Sequence, residues 1–416
     1  MTLRRKLGWL AVLYFAEGMP FGVVHELLPL YFKVHGVSLA AIGLMSLVGL
    51  PWIFKPLWSP LIDRFGERRF WICACLAALA VQSAAVPLFD PAVPGLALWA
   101  LMLGMAFASA TQDIAIDAYA IGIVDPGQEG DANGVRLTAA RLALIASGGG
   151  LVLLASQYGW EAAFVTAAVV FALLAVLSTA APRVAVPAAE RRRWLAAISH
   201  WLQRPGVWAV FGLALTYKLG DAAMGRMIKP FWIDRGLSLA EIGIVSSTVG
   251  MFATIAGAIV GGRLTARWGI LRALFILGLA QALSNLGYAT VAFLDPPPPQ
   301  TVVTSFADLW SAAAEPARLM IYASSLLESF TSGLGTAAFL AFLMHVCDKQ
   351  HAAVQYAVLS ALFALARDGA GAVSGFATSS FGYGPWFAFT VVLAVPGLCL
   401  IPAVRGWVHD RETADG

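Results

Sequence analysis

Asp113 and Asp117 stand four residues apart in Ala110-Thr-Gln-Asp-Ile-Ala-Ile-Asp-Ala-Tyr119, a stretch otherwise apolar enough to cross a bilayer. On a helix that spacing puts both carboxylates on one face. A charged side chain in hydrocarbon is costly unless it faces a cavity or a partner, so the pair reads as a functional site. The chemistry it suits is proton exchange. Partial burial favours the neutral acid and a nearby cation favours the carboxylate, so an acid/base network can trade protons as a cavity opens and closes. The plainer role is an ion pair that pins a neighbouring helix.

Other polar residues in apolar stretches extend the network. Lys218 and Asp221, three apart, either clasp each other or leave Lys218 free to face the two aspartates. Glu17, His25 and Glu26 lie in the first apolar run, Glu328 in a later one, and Arg367 next to Asp368 reads as a local pair. Arg136 and Arg141 are five apart and point in different directions, with Arg136 placed to snorkel towards an interface. Pro51 and Pro56 flank Lys55, and a helix broken there frees backbone carbonyls beside the lysine, as a cavity wall requires. Tyr14, Trp52, Tyr119 and Tyr217 either stack on sugar rings or pack at an interface. Gln112 and Gln355 complete the residues expected to face a substrate.

The elements that must position these groups are membrane spans. Of 416 residues 59% are hydrophobic and 12% charged, with a mean hydropathy of +0.77, against about 25% charged in soluble domains. The expected fold is an all-α polytopic membrane protein. No basic tract with interleaved aromatics points to nucleic acid. Cys73, Cys75, Cys347 and Cys399 have no ligand spacing around them, so no metal is expected. The glycine clusters at 148–150 and 257–262 suit close helix packing and carry no phosphate-loop spacing, so no cofactor is expected. The basic amino terminus runs through Glu17 and Pro20 without a cleavage site and reads as a retained first span.

Twelve spans of about 20 or more residues can be laid down. They lie near 7–32, 39–62, 70–89, 95–124, 133–157, 161–181, 206–232, 239–262, 271–294, 318–346, 352–380 and 384–404. Basic residues crowd one set of loops and ends, while the other set holds only Lys33, Lys229, Arg235 and Arg318. The positive-inside rule then places both termini and the central loop in the cytoplasm. In that loop, helical spacing aligns Trp194, Ile198 and Trp201, which suits either a surface helix or a solvated linker.

The chain also repeats. Gly36-Val-Ser-Leu-Ala-Ala-Ile-Gly43 recurs as Gly236-Leu-Ser-Leu-Ala-Glu-Ile-Gly243, each after an aromatic pair and each between the first two spans of its half. Two six-span bundles, 1–181 and 206–416, joined by the 182–205 linker, imply a site between them and a rocking transporter.

Asp63-Arg64-Phe65-Gly66-Glu67-Arg68-Arg69 resembles the loop signature of the major facilitator superfamily, with Ser59 in place of its leading glycine. Ile42-Gly-Leu-Met-Ser-Leu-Val-Gly-Leu-Pro51, Phe54-Lys55-Pro-Leu-Trp-Ser-Pro60, Tyr217-Lys218-Leu-Gly-Asp221 and Gln355-Tyr-Ala-Val-Leu-Ser-Ala361 more specifically resemble the AmpG muropeptide permeases and their relatives. That resemblance implies a monomeric, proton-coupled importer of an anhydro-muropeptide, a small glycopeptide, in the bacterial inner membrane. It implies gating by Asp63, Arg64 and Arg68, and it sets Arg141 at the position of a family arginine suited to grip a substrate carboxylate. Siderophore or other metabolite uptake is the alternative within the family, with acetyl-CoA behind it. An intramembrane aspartyl protease fits worst, because Leu219-Gly220-Asp221 lacks that motif's first glycine and Asp113 and Asp117 share a helix. The sequence departs from the family in Glu17 and His25, in the Asp295-Pro-Pro-Pro-Pro-Gln300 insertion, and in lacking two further carboxy-terminal spans that AmpG proteins often carry.

Overall fold

A computed structural model describes residues 1–64, 67–124, 128–183, 202–347 and 352–412. Twelve helical segments cross between two ends of the molecule, and no strand occurs among the described residues. They are α1 (Leu3–Val34), α2 (39–64), α3 (Arg68–Leu88), α4 (Leu96–Ile123), α5 (129–158), α6 (Trp160–Thr179), α7 (207–234), α8 (Leu239–Trp268), α9 (Ile270–Leu294), α10 (Pro316–Val346), α11 (Ala352–Phe381) and α12 (Tyr383–Leu400). Among the described residues, nine are long and apolar enough to span a bilayer by themselves. The exceptions are α2, α7 and α11. Prolines and a glycine break α2 into 3₁₀ turns at Met45–Gly49 and Lys55–Leu57. The helix of α7 is interrupted at Tyr217 and Lys218, between Val207–Thr216 and Leu219–Asp234. Arg367 and Asp368 interrupt the apolar character of α11.

The repeated octapeptide folds the same way twice. Gly36 and Gly236 adopt φ of +81° and +78°, the left-handed conformation that ends a helix. Val37 N–H donates to Phe32 O and Leu237 N–H to Trp232 O, both at 3.1 Å, closing matching Schellman turns. Ser38 and Ser238 then cap the next helix, accepting from Ala41 N–H at 3.3 Å and Glu241 N–H at 3.2 Å. These turns lie at the end of the molecule opposite the two termini, here called the far end.

Within the first six helices, α1 packs on α4 and α5, and α3 on α4 and α6; within the second six, α10 packs on α8 and α9, α9 on α12, and α7 on α11 and α12. A Cβ on Gly257 would come 2.0 Å from Phe330 O, so the α8–α10 crossing needs a glycine there. Packing between the two groups runs chiefly through far-end segments: 28–34 on 219–234, 39–54 on α11, and 146–158 on 239–249. Where α2 crosses α11, Gly43 and Gly375 meet backbone to backbone.

The insertion after α9 is folded, not loose. Asp308 accepts four hydrogen bonds from Thr304 and Ser305 at 2.9–3.0 Å, and these hold its carboxyl down at about 2. Ser238 Oγ donates to Val303 O at 2.6 Å, which seats the insertion on the second Schellman turn. Arg318, one of the four basic residues of the cation-poor set of loops and ends, is buried. Its guanidinium pairs with Glu241 at 2.7 Å and Glu315 at 2.8 Å and donates to Thr301 O. Residues Trp194, Ile198 and Trp201, and the side chains of Asp63 and Arg64, lie outside the described residues.

Candidate functional site

Four helices of the first group bring a charged cluster together. The 3₁₀ turn in α2 projects Lys55 towards α4, where its ammonium pairs with Asp113. One turn further along the same face of α4, Asp117 pairs with Arg136 of α5 at 3.1 Å. Tyr14 of α1 donates to Asp117 at 3.3 Å, and Arg136 lies 4.8 Å over the Tyr14 ring. Glu17, one helical turn from Tyr14, puts its carboxyl within hydrogen-bonding reach of Asp113. Its Oε2 is buried and has no hydrogen-bond partner among the described residues. Oxygens of Glu17, Asp113 and Asp117 all fall within 4.8 Å of one another.

Such a triad has the spacing to ligate a cation, but Lys55 and Arg136 already occupy its flanks as fixed positive charges. With three acids against two bases, the cluster has one carboxyl in excess. Two carboxyls in contact away from bulk water cannot both ionise, so a proton is the natural counter-charge.

The second group carries its own cluster. Lys218 pairs with Asp221 at 2.9 Å and lies 3.4 Å from both the carbonyl and the hydroxyl of Ser332. Ser332 in turn donates to Asp221 at 3.2 Å. Lys218 therefore clasps α7 to α10 and does not face Asp113 and Asp117. Glu328, one turn before Ser332 on α10, lines a cavity of about 200 Å³ between the groups together with Glu26, Lys229, Ser247 and Ser329. Lys229 bridges the groups there by pairing with Glu26 and donating to Ser247 at 3.0 Å. A larger groove of about 510 Å³, lined by Val12, Phe15, Val135, Leu142 and Leu177, is apolar and holds none of these charged groups.

Arg141 stands apart from both clusters. Its guanidinium meets Met251 Sδ of α8 at 3.4 Å, across the two groups, and has no carboxylate partner among the described residues. It stands on the same helix as Arg136 but is free for an anion.

Several residues expected to face a substrate make protein contacts in this conformation. Gln112 is fully buried and donates to Ala16 O at 3.1 Å, tying α4 to α1. Tyr119 is buried in the apolar core. Tyr217 donates to Leu274 O at 2.9 Å and stacks on Phe339 with centroids 5.2 Å apart. Trp52 packs edge-on against Phe21 and His25, and Gln355 is buried. Arg68 donates to Ile62 O at 2.7 Å across the turn after α2. Arg367 and Asp368 form the expected local pair, at 2.9 Å. Tyr14 and Arg136 move the other way, into the acid cluster. Sequence reasoning passed over Arg226, which donates to His25 O at 3.1 Å, and the Glu26–Lys229 bridge. The 200-residue offset of the repeat aligns Glu26 with Arg226 and so marks α1 and α7 as facing elements.

Residues 10–314 match the family described as Major Facilitator Superfamily. The chain is 33% identical over 417 residues to the anhydromuropeptide permease of Escherichia coli (strain K12), covering 98% of this chain and 81% of that protein. Among solved structures, it is similar to a bacterial homolog of the human lysosomal transporter Spinster in an inward-facing, unoccupied conformation, with a TM-score of 0.76, 15% identity and 99% of each chain covered. A POT family transporter in complex with a thioalcohol-conjugated peptide matches with a TM-score of 0.70 and 14% identity, covering 97% of this chain and 96% of that one. The two structures speak for the fold alone.

Proposed function

The chain belongs to the Major Facilitator Superfamily as an AmpG-like transporter, and from that premise we propose that it imports an anhydro-muropeptide together with protons by alternating access. The observation that carries the substrate is the 33% identity to an anhydromuropeptide permease over nearly the whole chain. The surplus carboxyl of the Glu17, Asp113 and Asp117 cluster supports the coupling ion. In this reading the termini face the cytoplasm of a bacterial cell, the far end faces outward, and the bundles 1–181 and 206–416 rock about the 182–205 linker. The conformation described, packed at the far end, is then the one open to the cytoplasm. A substrate carried in from the far end is gripped through its carboxylate by Arg141, and in this conformation it leaves for the cytoplasm: the Arg141 guanidinium returns to Met251, and the proton on the Glu17–Asp113 pair is released to water as the cavity hydrates.

The test is uptake of N-acetylglucosaminyl-anhydro-N-acetylmuramyl tripeptide into proteoliposomes under an imposed proton gradient. Wild type should concentrate the compound, and Asp113→Asn should lose concentrative uptake while remaining folded. Transport of a ferric siderophore with none of the muropeptide overturns the substrate. Full proton-driven accumulation by Asp113→Asn removes this cluster from the coupling.

A further inference from the structure

The two clusters share an accounting that the proposed function uses only once. In the second group, Lys218 faces two acids, Asp221 and Glu328, so this cluster also holds one carboxyl more than its bases can answer. Asp221 Oδ2 takes both Lys218 and Ser332, while its Oδ1 is buried with no donor. Glu328 stands one helical turn before Ser332 on α10, on the face that meets Asp221. Two neighbouring acids answered by one base retain a shared proton.

We propose that Asp221 and Glu328 form a second proton-binding site, and that its charge decides whether Lys229 bridges the two halves. The inference rests on the transporter reading for its place in a cycle, not for its geometry. Glu328 and the Glu26–Lys229 bridge line one cavity. While Glu328 is neutral, Glu26 is the carboxylate there that holds Lys229, and the far end stays closed. When Glu328 gives its proton to a water in the cavity, leaving a carboxylate and a hydronium, Lys229 has a second anion to answer on its own half. The bridge to Glu26 then weakens and the far end is released. Only an O–H bond breaks and only an O–H bond forms.

The groups facing Glu328 fit this assignment from every side. From α7 come Asp221, Lys218 and Lys229, from α1 Glu26, and from α9 the Tyr288 hydroxyl. The α8 face contributes Ser246, Ser247 and Thr254, which do not titrate in this range. Arg141 of α5 meets Met251, which lines the same cavity.

The direction of coupling follows. Protonation closes the far end and deprotonation reopens it, which is the order an importer driven by protons from that side requires.

The experiment is double electron–electron resonance on purified protein without substrate, with spin labels at Val34 and Ser380, one on each half at the far end. In wild type, the far-end-open population should rise with pH, by up to about tenfold per pH unit for one linked proton. Glu328→Gln, a fixed neutral side chain, should hold the far end closed at every pH. Lys229→Gln should leave it open and pH-insensitive, and Glu328→Asp should restore the pH response. A Glu328→Gln profile that opens with pH as wild type does overturns the proposal, as does a pH response in Lys229→Gln. Because no substrate is present, failure of muropeptide uptake would sink the proposed function and leave this measurement standing.

Discussion

Arg141 is a guanidinium with a thioether for its nearest partner, 3.4 Å away, and an arginine in that position is costly to keep without a reason. A charge-assisted bidentate contact to a carboxylate contributes about 1.5–3 kcal/mol. Arg141→Ala should therefore weaken binding of an anionic muropeptide by about 10- to 100-fold, read by isothermal titration in detergent, while the thermal unfolding midpoint stays near wild type. Unchanged affinity would make Arg141 a helix clasp. The neighbouring Arg136 shows why residue roles were only half legible in the sequence. Its i+5 offset from Arg141 correctly separates their directions, but nothing in the local pattern says that α5 lies against Tyr14 and Asp117. The acids were legible because carboxylates in an apolar run violate the composition around them. Their partners were not, because a tyrosine or an interfacial arginine violates nothing.

Glycine sets how closely α2 and α11 can approach. A Cβ at position 375 would stand 2.0 Å from the Leu39 carbonyl oxygen, a backbone atom that cannot step aside. Gly375→Leu should force the crossing apart, at an overpacking cost of about 1–3 kcal/mol, which shifts the balance towards the far-end-open conformer by about 5- to 150-fold. The same pair of labels at Val34 and Ser380 reports it as a longer distance. An unchanged distance distribution in a stably folded variant would show that this contact does not limit closure. Apolar length laid out all twelve spans, nine of which are helices long and apolar enough to cross a bilayer by themselves among the described residues, but it did not show where α2 and α7 break. In both, what weakens the apolar signal also serves the site: the turn at Lys55 frees that lysine for Asp113, and the interruption at Tyr217 and Lys218 sets the clasp to α10.

Across the whole molecule, closure of the far end is an electrostatic as well as a steric event. Lys33 pairs with Asp234 at 2.6 Å, and Tyr383 donates to the same carboxylate at 2.6 Å. Asp234 is 39% exposed, so the pair contributes only about 0.2–1 kcal/mol. Lys33→Asp should move the population towards the far-end-open state by about two- to fivefold, more at low salt, and Asp234→Lys in the same chain should restore it. Tryptophan or spin-label reporters at the far end distinguish this from a uniform loss of stability, which the double variant would not repair. The count of basic residues per loop could foresee which side is poor in cations, but not that Lys33, Lys229, Arg235 and Arg318 are each held by a carboxylate. All four of those pairs join residues 60 or more positions apart, beyond the reach of any window. Their order along the chain matters to how the protein is made. Glu241 precedes Arg318 by 77 residues, and Glu315 travels beside it, so that arginine enters the bilayer escorted. Lys33 has no escort, since Asp234 emerges 201 residues later. Until α7 is synthesised, the first helical hairpin holds a bare cation on the cation-poor side, and the completion of the second bundle is what finally quenches it.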